Sequence, residues 1–357
     1  MKAIHQIVAG FRQNDAISNE ALCLQQVFRG WGFNSEIGCE RRRTDPQARP
    51  LVREAESLKS GLQPDDLALL HLSTGTPLNA WFAGLPCRKA ILYHNVTPPE
   101  FFGRINPVLS AELTEGRRQV AALANKADLT LACSQFNADD LHAMGYTDVS
   151  VFPLLIDFSR LTQEIDTSMR ARYADGALNV LFVGRCVPNK RIESLLGVMH
   201  ALERSGGDYV RLLHVGSHAG AEVYYSTLLA QARALALRDV QFLGPLNQPQ
   251  LNACLSVADV FLCMSEHEGF CVPLLEAMVH DLPIVALKRA AVPETLGNAG
   301  IQFESPDFAL IAETIRTLRS DDRLRKGVIA RQRERLRAYR ERDAARELRA
   351  HFKPLLP

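Results

Sequence analysis

Two glutamates flank a glycine-bearing turn in the second half of this 357-residue sequence. Glu268 follows the apolar run 259–263, and Glu276 lies within the segment 272–279, which has Pro273 near its start. The run is typical of a buried parallel strand and the segment of a helix, whose first turn tolerates proline. Such a unit presents backbone N–H groups and a positive helix end at the carboxyl edge of a sheet, where ligands and above all phosphates bind. Carboxylates accept hydrogen bonds from hydroxyl groups, so the pair predicts a sugar-binding site.

The segment from Glu268 to Glu276, followed by Ala277-Met278, resembles the E-x7-E signature of the retaining family 4 glycosyltransferases with the GT-B fold. The alternative is a surface acid followed by an acid near a helix N terminus, where it favours the macrodipole. Gly269-Phe270 and Pro273 stand in register with the signature, which favours the resemblance. It implies an α/β protein of two Rossmann-like domains that face each other across a cleft.

The resemblance also implies a donor site. Glu268 and the amides of Gly269, Phe270 and Cys271, with Val272 beside them, would hold the sugar, and Glu276 would hold the ribose. Gly244 and Leu246 would lie against the nucleotide base. In the first domain, His94 would contact the sugar ring, although it could also be a buried histidine that closes a strand.

Arg185 and Lys190 follow a predicted strand at 178–183 and Gly184. They resemble the family's Arg and Lys that grip the donor diphosphate, with a solvated basic loop as the alternative. A leaving nucleoside diphosphate gains negative charge as the glycosidic bond breaks, and fixed cations stabilise that transition state. We therefore expect no metal and no cofactor, and we find no Asp-x-Asp pair suited to a divalent cation.

On the acceptor side, the loop between the first strand (3–9) and the first helix (20–31) contains Gly10, Asp15 and Asn19. The resemblance implies that this loop lines the acceptor side, with backbone amides near the donor phosphate. The family often has paired glycines here, and this chain has only Gly10. Asp15 could instead cap the following helix.

The implied reaction is metal-independent, retaining transfer of a hexose to a glycan or polyprenyl-linked acceptor in bacterial polysaccharide synthesis. In a front-face displacement the leaving phosphate helps to deprotonate the acceptor, so Glu268 need not act as a nucleophile. The loops at 73–77 and 94–102 resemble enzymes that use GDP-mannose, and a UDP-hexose is the alternative donor. A binding protein without turnover is the alternative from another class, and a fold-related epimerase or hydrolase would need a catalytic acid pair that is not evident.

The composition agrees with a soluble enzyme. Lys and Arg number 41 against 40 Asp and Glu, so no excess charge indicates a nucleic-acid partner. Eight cysteines occur without a C-x-x-C pair, which is typical of reduced core thiols in the cytoplasm. The first eleven residues lack the organisation of a signal peptide, and no apolar run is long enough to span a bilayer.

Length and pattern predict three regions: an acceptor-side domain (1–155), a donor domain (156–335) and a basic C-terminal helix (336–357) that packs back toward the first domain. We expect a second strand at 33–37, an exposed connection at 41–53 and a helix at 112–126. Residues 316–353 hold 14 basic and 6 acidic residues, a net charge of +8. This charge predicts either a solvated helix that docks through Leu336, Tyr339, Leu348 and Phe352, or peripheral contact with the anionic inner face of the membrane.

Overall fold

The protein's structure, a computed structural model, describes residues 2–12, 15–162 and 164–356. The chain divides into two compact units. Unit 1 comprises Met1–Glu100, Val108–Asp157 and Asp343–Pro357, and unit 2 comprises Phe101–Pro107 and Phe158–Arg342.

Unit 1 is built on a sheet of seven parallel strands in the order β3-β2-β1-β4-β5-β6-β7. These strands are β1 (Ile4–Val8), β2 (Ile37–Cys39), β3 (Arg53–Glu54), β4 (Leu67–Leu72), β5 (Arg88–Tyr93), β6 (Leu129–Ala132) and β7 (Ser150–Val151). Because a parallel sheet is covered on both faces, its central strands β1, β4, β5 and β6 are largely buried, whereas the edge strand β3 is exposed. The strand order reverses between β1 and β4, and the carboxyl ends of strands at such a reversal are where open α/β sheets bind ligands.

Unit 2 contains a sheet of six parallel strands in the order β10-β9-β8-β11-β12-β13. These strands are β8 (Leu178–Val183), β9 (Val210–Val215), β10 (Val240–Gly244), β11 (Val260–Cys263), β12 (Ile284–Leu287) and β13 (Ile301–Phe303). Here the order reverses between β8 and β11. The predicted pair of Rossmann-like α/β domains is confirmed.

Helices connect the strands of both sheets and extend to the C-terminal segment. In chain order they are α1 (Ala16–Gly30), α2 (Ala55–Leu58), α3 (Pro77–Ala83), α4 (Pro107–Ala122), α5 (Gln135–Ala143), α6 (Thr167–Tyr173), α7 (Ile192–Arg204), α8 (Glu222–Ala234), α9 (Gln248–Val257), α10 (Val272–Val279), α11 (Val292–Leu296), α12 (Phe308–Ser320), α13 (Asp322–Arg340) and α14 (Ala344–Phe352). No helix in the described part of the chain is both long and apolar enough to cross a membrane.

Four predicted elements differ from the structure. The second strand is at Ile37–Cys39 instead of 33–37, because parallel pairing with β1 matches Gln6 with Ile37. The first helix begins at Ala16, since Asp15 already caps it, and α4 begins at Pro107. The connection at 41–53 contains two 3-10 helices and buries Ala48 completely, so it is not simply exposed.

The basic C-terminal region is not one helix, because α13 ends at Arg340 and Asp343 caps a separate helix, α14. Two of the four predicted docking residues, Leu348 and Phe352, belong to the core of unit 1, where Phe352 packs against Phe28. The other two lie on α13 in unit 2. Of the two helices, only α14 belongs to unit 1.

Candidate active site

The sequence-predicted donor residues of unit 2 lie in the loops that follow β8 and β11, at the reversal of strand order. Asn189 connects these two loops through its backbone and its side chain. Its carbonyl accepts the backbone N–H of Glu266 at 2.9 Å, and its Nδ2 donates to the carbonyl of His267 at 3.1 Å. Asn189 is buried, and it therefore holds its neighbour Lys190 close to Glu268.

Lys190 and Glu268 form an ion pair with Nζ and Oε2 only 2.6 Å apart. The two side chains are 17% and 11% exposed. Burial alone would lower the pKa of the Lys190 ammonium, but the Glu268 carboxylate outweighs it, so the pKa is raised. Lys190 is therefore a fixed cation at neutral pH. Two predicted site residues separated by 78 positions are in direct contact.

Arg185 is exposed and lies on the loop that follows β8. Its Nη2 donates to the carbonyl of Ala219, 3.2 Å away in the loop that follows β9. These two loops meet so closely that a Cβ on Gly216 would lie 1.9 Å from the carbonyl oxygen of Gly184. Glycine at position 216, with φ at +148°, is therefore required to bring the second loop beneath Arg185.

The turn from Glu268 to α10 accepts two hydrogen bonds from the region of α11. The hydroxyl of Thr295 donates to the carbonyl of Phe270, and the amide of Ala291 donates to the carbonyl of Glu268 at 3.3 Å. Cys271, the N-cap of α10, has φ of +73° and a buried side chain. A left-handed conformation is unfavourable for a residue with a Cβ, so the packing around this turn must compensate for the strain.

Glu276 lies on α10, half-buried, one helical turn beyond the start of the helix at Val272. Burial raises the pKa of this carboxyl to about 7, and the positive charge of Arg160 only partly opposes the rise. The group therefore changes its protonation state near neutral pH. A carboxylate that is costly to ionise in the free protein gains most from hydroxyl donors supplied by a ligand.

Gly244 and Leu246, the predicted base contacts, lie at the end of β10 and in the loop after it. The Gly244 carbonyl accepts the amide of Gly216 at 2.9 Å, so this loop joins the loops around Arg185. Asn247 and Gln250 form a capping box at the start of α9, which fixes the other end of the loop.

His94 lies directly after β5 in unit 1, and its side chain is only 3% exposed. Its Nε2 is 3.0 Å from Nδ1 of His71 and 3.6 Å from Oε2 of Glu20. The other nitrogen of His71 contacts Oε1 of Gln6 at 2.9 Å. His94 therefore belongs to a buried polar network, which we call the histidine cluster (Gln6, Glu20, His71 and His94).

The three residues predicted for the acceptor side occupy different environments. A Cβ on Gly10 would lie 2.6 Å from the Arg43 carbonyl, so the two segments can approach closely only with glycine there. Asp15 caps α1 by accepting the Ser18 amide at 3.0 Å. Asn19 is half-buried on the first turn of α1 instead of in the loop, which corrects the predicted position.

Two groups of described residues have ligand atoms close enough to share a metal ion. Glu20, His71 and His94 form one, and Cys263, Glu268 and Cys271 form the other, each with its atoms within 4.8 Å of one another. In both groups a protein contact already uses a ligand atom, since Lys190 pairs with Glu268 and His71 contacts His94.

Five residues of this arrangement were not predicted from the sequence: Gln6, Glu20, His71, Asn189 and Gly216. Gln6 and His71 interrupt the apolar strands β1 and β4, and a polar residue in a buried parallel strand is a usable signal. Asn189 and Gly216 have no comparable signal, because their roles depend on contacts between separate loops.

Comparison with known proteins places these loops in a recognised domain. Residues 169–335, nearly half of the chain, match the family described as glycosyl transferases group 1. The matched segment contains Arg185, Lys190, Glu268 and Glu276.

Curated relatives share part of the chain. A D-inositol 3-phosphate glycosyltransferase of Corynebacterium efficiens is 32% identical over 150 residues, 41% of this chain and 35% of that protein. A GDP-mannose-dependent alpha-mannosyltransferase of Mycobacterium tuberculosis is 32% identical over 162 residues, 45% of this chain and 39% of that protein. The chain thus spans little more than a third of the length of these relatives.

Among solved structures, Anabaena Alr3699/HepE in complex with UDP and glucose has a TM-score of 0.72 at 17% identity. The match covers 99% of this chain and 100% of the Anabaena protein. At such low identity the likeness shows the fold alone. The likeness extends over both units, each of which is a parallel α/β domain.

Proposed function

We propose that this protein transfers a hexosyl group from a nucleotide diphosphate sugar to a glycan or polyprenyl-linked acceptor. The observation that carries the proposal is the ion pair of Lys190 and Glu268 at the strand-order reversal of unit 2, inside the segment that matches the glycosyl transferases group 1 family. GDP-mannose is the favoured donor, in line with the mannosyltransferase relative, and a UDP-hexose is the second candidate.

In the proposed donor complex, Arg185 and Lys190 bind the diphosphate. Their positive charges oppose the negative charge that grows on the leaving group, so they act more strongly in the transition state than in the ground state. No divalent cation is needed for this role. Glu268, with the amides of Gly269, Phe270 and Cys271, accepts and orients the sugar hydroxyls.

Glu276 accepts hydrogen bonds from the ribose, and Gly244 and Leu246 lie against the base. Cys271 and Val272 begin α10, whose N terminus faces the same turn as Glu268. On the other side of the reaction, His94 contacts the sugar, and Gly10, Asp15 and Asn19 contribute to the acceptor side.

Transfer is proposed to proceed with retention by front-face displacement, in which a departing phosphate oxygen takes the acceptor proton. The environment of Glu268 supports this choice over a covalent intermediate. Its carboxylate is paired with Lys190 at 2.6 Å, and a carboxylate neutralised in this way is a poor nucleophile. The anomeric configuration of the product, measured by proton NMR during turnover, tests retention.

The protein is proposed to act in the cytoplasm, with the basic helix α13 able to contact an anionic membrane surface. Its exposed arginines carry the charge for such a contact. Co-sedimentation with vesicles of phosphatidylglycerol, compared with neutral vesicles, tests it.

A panel of nucleotides and nucleotide sugars, measured by thermal shift, tests the donor assignment. Any ligand that binds only the folded state raises the melting temperature. At a concentration a hundredfold above its Kd, it adds about 2.7 kcal/mol to the free energy of unfolding. We expect GDP-mannose or a UDP-sugar to produce a shift that Arg185→Ala and Lys190→Ala abolish. Lys326→Ala removes an exposed charge (78% exposed) and should keep the shift.

Turnover separates the enzyme from a binding protein of the same fold. Labelled donor should yield a glycosylated product only when an acceptor is present. A donor-dependent thermal shift without any product would favour a nucleotide-sugar-binding protein, and the absence of any shift would exclude both.

A further inference from the structure

The histidine cluster of unit 1 has a definite hydrogen-bond direction, which begins at the backbone of α1. Nε2 of Gln6 is 2.9 Å from the carbonyl oxygen of Ala21. A carbonyl only accepts, so the amide NH2 of Gln6 must be directed toward Ala21. Oε1 of Gln6 therefore faces His71 and is an acceptor.

This direction determines the tautomer of both histidines. Because Gln6 Oε1 accepts, the Nε2 of His71, at 2.9 Å, must carry a proton. Neutral His71 then has a lone pair on Nδ1, which accepts from the Nε2–H of His94 at 3.0 Å. The two rings are nearly parallel, with an angle of 5° between them, and the contact joins their edges.

Glu20 favours the same tautomer independently. Its Oε1 accepts the amide of Leu155 at 3.0 Å, which fixes the carboxylate, and its Oε2 lies 3.6 Å from Nε2 of His94. The lone pairs of this oxygen disfavour a second lone pair on Nε2 and therefore favour a proton on that nitrogen. Two separate sets of contacts thus place the His94 proton on Nε2.

The remaining nitrogen of His94, Nδ1, is buried and has no hydrogen-bond partner among the described residues. Burial lowers the pKa of His71 to about 3, and burial together with His71 holds the pKa of His94 well below its ordinary value. Both rings are therefore neutral at neutral pH. A buried acceptor without a partner is costly, and a ligand hydroxyl removes that cost.

We propose that Gln6 and His71 are positioning residues that hold His94 as the neutral Nε2–H tautomer, so that Nδ1 accepts a hydrogen bond from a hydroxyl of the transferred sugar. This inference rests on the proposed function. Its chemical logic is that the sugar gains positive charge in a glycosyl-transfer transition state. A neutral acceptor tolerates that charge, whereas an imidazolium would oppose it.

The first arm of the test measures tautomers in the free protein and needs no turnover. Two-bond ¹H–¹⁵N spectra of histidine-labelled protein distinguish protonated from unprotonated ring nitrogens, and His71→Asn and His94→Asn assign the signals. We expect both rings to be neutral with the proton on Nε2. A cationic His94, or a proton on its Nδ1, overturns the proposal whether or not the protein is a transferase.

The second arm uses Gln6→Met, which keeps the side-chain volume but removes the acceptor for His71. We expect His94 to become a mixture of tautomers and kcat to fall roughly tenfold or more, with the donor KM changed less than twofold, since an incorrect tautomer impairs the chemical step. Gln25→Met is the matched control, because Gln25 is also buried in unit 1, whereas its Nε2 donates to the Ser35 carbonyl outside the histidine cluster. Equal losses in both variants, or an unchanged His94 signal in Gln6→Met, would contradict the positioning role.

A metal ion bound by Glu20, His71 and His94 is the competing interpretation. Addition of Zn²⁺ or of a chelator should leave the ¹⁵N signals of both histidines unchanged. A metal-dependent shift of these signals would overturn the proposal, because a metal would then occupy the nitrogens that we assign to hydrogen bonds.

Discussion

The two sheets place opposite chemistry at the same topological position. At the strand-order reversal of unit 2, the polar groups are charged and come from loops: Lys190 pairs with Glu268, and the exposed Arg185 lies nearby on the same loop as Lys190. At the reversal of unit 1, two neutral histidines are buried and held through Gln6, a residue within a strand. Where the proposed ligand is an anionic diphosphate, fixed charge is useful. Where a sugar ring gains positive charge, a neutral acceptor is the better partner.

The largest expected effect is on the charged side. Lys190→Ala removes the fixed cation and leaves Glu268 with an uncompensated buried charge, so we expect kcat to fall by roughly 10²–10³-fold and the melting temperature to fall as well. The double variant Lys190→Met/Glu268→Gln, which removes both charges, should recover most of the lost stability without recovering activity. Activity recovered in the double variant would show that the pair is structural.

The pH dependence of donor binding is expected to originate from Glu276, whose pKa is raised to about 7 by burial. The carboxylate accepts hydrogen bonds from ribose hydroxyls more strongly than the protonated carboxyl group does, so affinity for the nucleotide sugar should rise by up to roughly tenfold from pH 6 to pH 8. The raised pKa also means that the folded state holds the proton more tightly than the unfolded state does. The free energy of unfolding of the free protein should therefore fall as the pH rises toward 7.

Calorimetric titrations at several pH values measure the rise in affinity for the nucleotide sugar. Urea unfolding at the same pH values measures the fall in the free energy of unfolding. In Glu276→Gln both should flatten, because no ionisable group remains at that position. A trend in affinity that persists in Glu276→Gln would assign the dependence to another group.

A smaller effect is expected from substitutions of Asp15, the N-cap of α1. Its capping of the helix can be tested separately from its proposed contact with the acceptor. Asp15→Ala should cost about 1 kcal/mol in urea unfolding, because the Ser18 amide loses its acceptor. Asp15→Ser keeps a capping oxygen and should restore stability. If Asp15 also contacts the acceptor, the acceptor KM stays raised in Asp15→Ser, and a KM that recovers with stability limits Asp15 to capping.

The smallest effect is expected at Cys271, whose φ of +73° glycine adopts without strain. In Cys271→Gly, the relief of about 1 kcal/mol offsets a similar loss from the buried thiol, so stability should change little. Cys263→Gly, at a fully buried strand position, relieves no strain and should cost roughly 2 kcal/mol or more. Equal losses at the two positions would mean that the turn before α10 is not strained.

Local pattern was sufficient where an apolar run has clear ends. The bounds of β5, β8 and α10 agree with the predicted ones at 88–93, 178–183 and 272–279, because polar residues, glycine or proline terminate each run. It was insufficient at the second strand, which was predicted at 33–37, where only Phe33 and Ile37 are apolar. The observed strand lies further along, since register depends on the partner β1.

In the candidate site, too, some features were predictable from local sequence and others depended on contacts between distant segments. Residue types and spacing within one loop and its helix were enough to propose Glu268 and Glu276, and the resemblance added Arg185, Lys190 and His94. The pairing of Lys190 with Glu268, its dependence on Asn189 and the contact of His94 with His71 became evident only in three dimensions.

What the sequence determined by itself is therefore the set of elements and the chemical types at their ends, because periodicity, glycine and proline act over a few residues. Tertiary structure decided which of these groups meet and in what protonation state. Burial and hydrogen-bond direction arise from segments distant in the chain, as when Gln6 on β1 orients His71 on β4 and thereby selects the tautomer of His94.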